Sequence, residues 1–251
     1  VAVFAAPTIV SLLLIRPEEI DHDLARGRQA GAAVEKPARA WELLKEKPLV
    51  IFLICAVMFH FANAAILPLL GEMLSKGQGR SSMMFMSACV VTTQFTISLV
   101  SNPAGRLAGS WGRKPLLLIG FAVLPLRAVL YTLTDQPALL IAIQILDGVA
   151  AGIFGVVSVL VIADLTRGSG RFNLTQGAIA TAVGIGAALS QVAAGTIVHH
   201  AGYRDGFLFC AVIAAAAFVI LLLFMPETNR QDEDSGAAAF KPGEANPQAA
   251  G

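Results

Sequence analysis

Six apolar runs of similar length, separated by short polar breaks, fill the chain from residue 49 to residue 225. They cover about Leu49–Leu70, Ser82–Val100, Pro115–Leu133, Ala138–Ala163, Leu174–Val198 and Gly206–Met225. Each supplies the roughly 17–25 residues that a helix needs to cross a bilayer. The pattern predicts an all-α membrane protein with a six-helix bundle over 49–225. A further apolar run, Val1–Ile15, has neither the basic flank nor the cleavage site of a signal peptide and reads as a truncated transmembrane helix. Residues 16–48 form a polar linker, whose second half suits a short amphipathic helix around Trp41–Leu44 lying on the membrane surface. Residues 226–251 are acidic and rich in Pro, Gly and Ala, and are expected to be a disordered tail.

Composition agrees with a bilayer as the partner. Hydrophobic residues make up 56% of the chain and charged residues 14%, against about 25% charged in a soluble domain. A net charge of +1 gives no reason to expect nucleic acid. Cys55, Cys89 and Cys210 lie inside apolar runs with no spacing that links them, so no disulfide, metal site or cofactor is expected. The basic residues set orientation. Fourteen of them fall in the linker, the 101–114 stretch, the 164–173 loop and the tail, against Lys76, Arg80 and Arg204 on the other side. Linker, loops and tail on the first side are therefore expected in the cytoplasm, and the protein in the cell (plasma or inner) membrane as a multi-pass chain.

Two segments echo each other. "GRLAGSWGRK" after the second apolar run and "GTIVHHAGYR" after the fifth each place a glycine seven residues before another: Gly105 and Gly112, then Gly195 and Gly202. They stand ninety positions apart and, on the predicted topology, on opposite sides of the membrane. Such an echo predicts a three-helix unit repeated in inverted orientation, the plan of many transporters.

The first of these segments also carries Arg106, Arg113 and Lys114 between two hydrophobic helices. Glycine suits a tight surface turn. The cations can meet lipid phosphates or an acid such as Asp164 at the end of the fourth run; the alternative is a positively charged anchor and nothing more. "GRLAGSWGRKP" resembles the Gly-x-Leu-Ala-Asp-Arg-x-Gly-Arg-Lys motif of the major facilitator superfamily, which lies between the second and third helices of each six-helix half. Gly105, Leu107, Ala108, Gly112, Arg113 and Lys114 match, whereas Gly109 stands where the family prefers Asp and Ser110 where it often has a basic residue. In the family that Asp joins an interhelical charge network that steadies one gating state. "MPETNR" (225–230) resembles the end of the twelfth helix in many members, and "QILDGVAAGIFGVVSVLVIADLT" resembles the tenth. The resemblance implies the C-terminal half of such a protein: the end of helix 6, the central loop, and helices 7 to 12 as two inverted three-helix repeats. It implies alternating access to a small-molecule substrate held between this half and an N-terminal six-helix half. On this resemblance Gly105, Arg106, Gly112, Arg113, Lys114 and Asp164 form a cytoplasmic gating motif.

Polar side chains within a span cost a few kcal/mol at its centre, so each calls for a function or a partner. With about 1.5 Å of rise per residue, His60 lies about 16 Å deep in the first run, with Asn63 one turn on. Gln94 in the second run, and Gln144 and Asp147 in the fourth, reach a similar depth. His60, Asn63, Gln94, Gln144 and Asp147 are therefore the candidate substrate or coupling groups. Asp147 or His60 can exchange a proton as a cavity changes sides. For Asp147 the alternative is an ion pair with Arg127, which sits at similar depth but is also within snorkelling reach of the outer interface. For His60 the alternative is a hydrogen-bonded packing role. A stripe of Gly177, Thr181, Gly184, Ala188, Gln191 and Gly195 in the fifth run is expected to pack against another helix. No Gly-x-Ser-x-Gly and no P-loop occur, so no enzyme is expected; the family resemblance implies a secondary carrier driven by a proton or substrate gradient, with proton coupling the expectation. A sensor or scaffold that keeps the fold without transporting is the competing reading.

Overall fold

The computed structural model describes residues 45–78, 81–167 and 169–229. The expected membrane helix over 1–15, most of the linker and the tail beyond 229 lie outside the described residues. Within them the chain forms seven helices: α1 Lys47–Ala64, α2 Ile66–Gln78, α3 Ser81–Ser110, α4 Arg113–Leu130, α5 Pro137–Leu165, α6 Phe172–Ala201 and α7 Tyr203–Phe224. Five stretches are long and apolar enough to cross a membrane, with Lys47–Ser75 counted as one through the α1–α2 break. α4 falls short on composition because its 18 residues include Arg113, Lys114 and Arg127. It still runs the height of the bundle. Its first residue reaches Asp164 at the end of α5, and Tyr131 just past its last packs 5.6 Å from Phe207 at the start of α7.

Local chemistry explains where these helices start. Pro48 and Pro137 occupy the first turn of α1 and α5, where a missing N–H removes no helical bond. α4 and α7 start after Gly112 and Gly202, whose φ/ψ values of 99/164 and 90/171 belong to a region that only glycine enters readily. The paired starts Lys47 and Pro137, Ser81 and Phe172, and Arg113 and Tyr203 are ninety or ninety-one positions apart. Packing follows the same rule. α1 packs on α6 and α7, α5 packs on α3 and α4, and α4 packs on α7, a pattern that maps onto itself when the two triplets are exchanged. The bundle is thus the six-span, two-repeat half that the glycine echo predicts.

Two details differ from the expectation. α3 continues ten residues past Val100, so Gly105 to Ser110 is helix, and of the glycines in this segment only Gly112 serves the turn. The first span is interrupted at Ala65, because Pro68 lacks the N–H that would carry the helical ladder past Ala64.

Two hydrophobic clusters fill the interior. One, nearer the Arg113 end, is built on Phe52, Phe59, Phe121, Phe154 and Leu221. The other, toward the opposite end, is built on Leu70, Phe85, Tyr131, Leu140 and Phe207. Three stretches change from one cluster to the other within three or four residues, Ala62 to Ala65, Leu124 to Ala128 and Ala214 to Ala211, and α5 changes between Ala150 and Leu140. The polar side chains occupy that seam.

Candidate functional site

At the seam, four helices contribute one connected group. Arg127, in the last turn of α4, pairs through Nη1 with Asp147 Oδ1 on α5. Its Nη2 donates to Asn63 Oδ1, one residue from the end of α1. Thr93 Oγ1 on α3 stands 3.3 Å from Gln144 Oε1 and 3.4 Å from Asp147 Oδ2. A hydroxyl has one proton, so Thr93 can donate to one of these oxygens at a time. Arg127 and Gln144 are 2% and 0% exposed, which removes both from bulk water. The guanidinium also lies 5.8 Å from the centre of the Tyr131 ring.

Sequence spacing explains the geometry. Gln144 and Asp147, three residues apart, share a face of α5, and the next residue, Gly148, lets α3 approach. A Cβ on Gly148 would come within 2.4 Å of Thr96 Cβ and 2.8 Å of the Thr93 carbonyl oxygen. Gly152 repeats the close approach against Val100. Thr93 is therefore pressed onto Gln144 and Asp147 by two glycines one turn apart.

Of the groups chosen from sequence, Asn63, Arg127, Gln144 and Asp147 come together. Gln94 does not: it lies on the exposed face of α3, in line with Val91, Phe95 and Leu99. Thr93 takes the place expected of Gln94, one residue earlier and about 100° round the helix. His60 sits one turn below Asn63, outside the hydrogen bonds of this group. Its ring meets Phe154 edge-on at 5.1 Å and lies 5.4 Å from Phe59, an aromatic packing position. The small-residue stripe of α6 is not a packing seam among the described residues, since a Cβ on Gly177, Gly184 or Gly195 would meet nothing within 4 Å. The close contact falls on Gly186, against Val57 of α1.

A second cluster closes the Arg113 end. Arg113 Nε meets Asp164 Oδ2 at 3.0 Å and Nη1 donates to the Ala108 carbonyl at 2.6 Å. The Glu227 carboxylate accepts the backbone N–H groups of Arg113 at 2.8 Å and Lys114 at 3.0 Å, the first orphan donors of α4. Thr228 Oγ1 stands 3.4 Å from Asp164 Oδ2, and Asn229 Nδ2 donates to the Gly109 carbonyl at 3.0 Å. Residues 226–229, expected to begin a disordered tail, are thus held against the start of α4 by their own side chains. Gly105 makes only ordinary contact with Val156, and Arg106 is exposed. With Gly109 carrying no acid, the carboxylates at this end come from Asp164 and Glu227.

The described residues thus form an all-α half with two related triplets, a buried charge pair between its two hydrophobic clusters and a basic clamp at one end. Residues 52–247 match the family model of the Major Facilitator Superfamily. An uncharacterised MFS-type transporter of Mycobacterium tuberculosis (strain ATCC 25618 / H37Rv) is 45% identical over 227 residues, covering 90% of this chain and 54% of that protein. The class H tetracycline resistance protein of Pasteurella multocida is 23% identical over 187 residues, 74% of this chain and 46% of that protein. The MFS-type transporter TwmF of Talaromyces wortmannii is 29% identical over 123 residues, 48% of this chain and 22% of that protein. The chain belongs to the Major Facilitator Superfamily and is an integral multi-pass membrane protein. It spans about half the length of the M. tuberculosis relative that it matches.

Proposed function

We propose that this chain forms the C-terminal half of a proton-coupled secondary carrier of a small solute in the cell membrane, working by alternating access. The observation that carries the reading is the buried Arg127–Asp147 pair, tied to Asn63, Gln144 and Thr93 at the seam between the two hydrophobic clusters. Breaking a buried pair by neutralising one partner leaves the other charge uncompensated, at a cost of about 3–5 kcal/mol. Protonation of Asp147 therefore penalises the packing in which Arg127 is enclosed. It favours any arrangement that gives Arg127 water or a new acceptor, by a factor of roughly 10² to several times 10³. Thr93 supports the exchange. While Asp147 is ionised the hydroxyl can donate to it, and once Asp147 carries a proton the same hydroxyl can accept from it and turn its own proton to Gln144 Oε1. At the cytoplasmic end, Gly105, Arg106, Gly112, Arg113, Lys114 and Asp164, joined by Glu227, would steady one of the two states.

The relatives' names support transport and leave the solute open; tetracycline resistance is a property of the P. multocida protein. The test is uphill flux by the full-length protein, with both six-helix halves, in sealed vesicles under an imposed proton gradient. Wild type should move a solute from a broad panel of small organic molecules. Asp147→Asn should lose the gradient-driven movement at unchanged expression. Equal flux in the two proteins would remove Asp147 from coupling, and no flux in wild type across the panel would favour a sensor that keeps the fold.

A further inference from the structure

The interruption of the first span frees backbone acceptors inside the bundle. Pro68 has no N–H for the Ala64 carbonyl four residues earlier. The Ala65 N–H turns to the Asn63 carbonyl, so it does not serve Phe61. A buried carbonyl left without a donor costs about 1–3 kcal/mol, and one within reach of water, as at the half-buried Ala64, costs less. α6 supplies one donor to each of the two. Ser190 Oγ donates to the Phe61 carbonyl, and Gln191 Nε2 donates to the Ala64 carbonyl at 2.7 Å. Ser190 is fully buried.

Two comparisons inside the molecule show that these donors are specific to the break. Hydroxyls elsewhere on the helices mostly bond back to their own helix, as do Thr96, Ser98, Ser101, Thr181 and Thr196; Ser190 instead reaches across to α1. The internal repeat gives a control. In the ninety-residue register Ser190 and Gln191 correspond to Val100 and Ser101 of α3, and Ala65 corresponds to Gly155 of α5. There α5 runs unbroken from Pro137 to Leu165, and Ser101 bonds its own Ile97 carbonyl at 2.7 Å. At the break, α6 donates to α1 backbone carbonyls, whereas the repeat-related Ser101 bonds its own helix.

The break also bears on the polar group at the seam. Asn63 lies between the two latched carbonyls, its own carbonyl takes the Ala65 N–H, and its side chain accepts from Arg127. We propose that Ser190 and Gln191 are positioning residues: they latch the interrupted first span and thereby fix Asn63 on Arg127. The effect on transport rests on the coupling role given to the Arg127–Asp147 pair above, whereas the latch itself does not.

The test uses the full-length protein in lipid nanodiscs, read first by amide hydrogen exchange. Ser190→Ala/Gln191→Ala should speed exchange of the residue 61–72 amides about tenfold or more while α5 keeps its wild-type rates. Ser190→Thr, which keeps the hydroxyl, should exchange like wild type. Unchanged exchange around the break, or an equal rise in every helix, would overturn the latch. Proton-driven flux then tests the link to Asn63. The latch variant and Asn63→Ala should each lower flux, and their combination should fall no further than Asn63→Ala alone. Additive losses would overturn the link. Because exchange needs no substrate, the latch can hold even if Asp147→Asn shows normal flux, so the two readings fail separately.

Discussion

Gly112 and Gly202 share one backbone geometry and differ in what surrounds them, which allows a sharp test of the Glu227 clamp. Replacing either by Ala places a Cβ at φ 99 or φ 90, with ψ near 170, and strain in that region costs about 1–3 kcal/mol. At Gly202 nothing lies within 4 Å of the added atom. At Gly112 it would stand 2.6 Å from Glu227 Oε2 and 2.9 Å from Glu227 Cδ, so the carboxylate must leave. That carboxylate holds the Arg113 and Lys114 N–H groups and, through Oε1, those of Thr228 and Asn229 at 2.9 Å. Hydrogen bonds to a charged acceptor are worth about 1.5–3 kcal/mol each, and water at this exposed end replaces part of that. Gly112→Ala should therefore lose about 2–3 kcal/mol more than Gly202→Ala. The assay is unfolding of the full-length protein by SDS in mixed micelles, repeated in a Glu227→Ala background, where the gap should close. Equal losses for the two glycine variants, or a gap that survives without Glu227, would refute the argument.

Other expectations follow from the seam and its packing. Arg127→Met leaves Asp147 without its counter-charge and should cost about 3–5 kcal/mol in the same unfolding assay; adding Asp147→Asn should recover most of that loss. Gly148→Ala forces a Cβ against Thr96 Cβ and the Thr93 carbonyl, and should cost about 1–3 kcal/mol by parting α3 from α5. Gly155→Ala, on the same helix with nothing within 4 Å, should leave the unfolding midpoint unchanged or slightly higher.

Much of this protein is written locally in its sequence. Length and apolarity place five of the spans, and the glycine echo reveals the repeat, α4 included, because Gly112 and Gly202 occupy a conformation that other residues avoid. Depth counting brings Asn63, Arg127, Gln144 and Asp147 to one level because a helix rises by a fixed step. The same counting gives the depth of Gln94 but not the rotation that turns Thr93 toward Gln144 and Asp147 and Gln94 to the exposed face of α3. The break at Ala65 was hidden because Pro68 sits inside an apolar run that continues to Leu70, and the donors that compensate for it lie on α6. Glu227 was masked by the composition of the tail that follows it. What escaped in each case depends on contact between residues far apart in the chain.

The central claim is that Asp147 carries the transported proton. The direct measurement is solute-dependent proton movement across proteoliposomes containing the full-length protein, read with a pH-sensitive dye in wild type and Asp147→Asn. Asn keeps an oxygen for Arg127 to donate to but leaves its charge uncompensated, at about 3–5 kcal/mol, so the comparison is made on variant protein shown to be folded. The account predicts that adding solute moves protons in wild type and moves none in Asp147→Asn, although the variant still exchanges solute down its gradient. Equal proton movement in both proteins would contradict it.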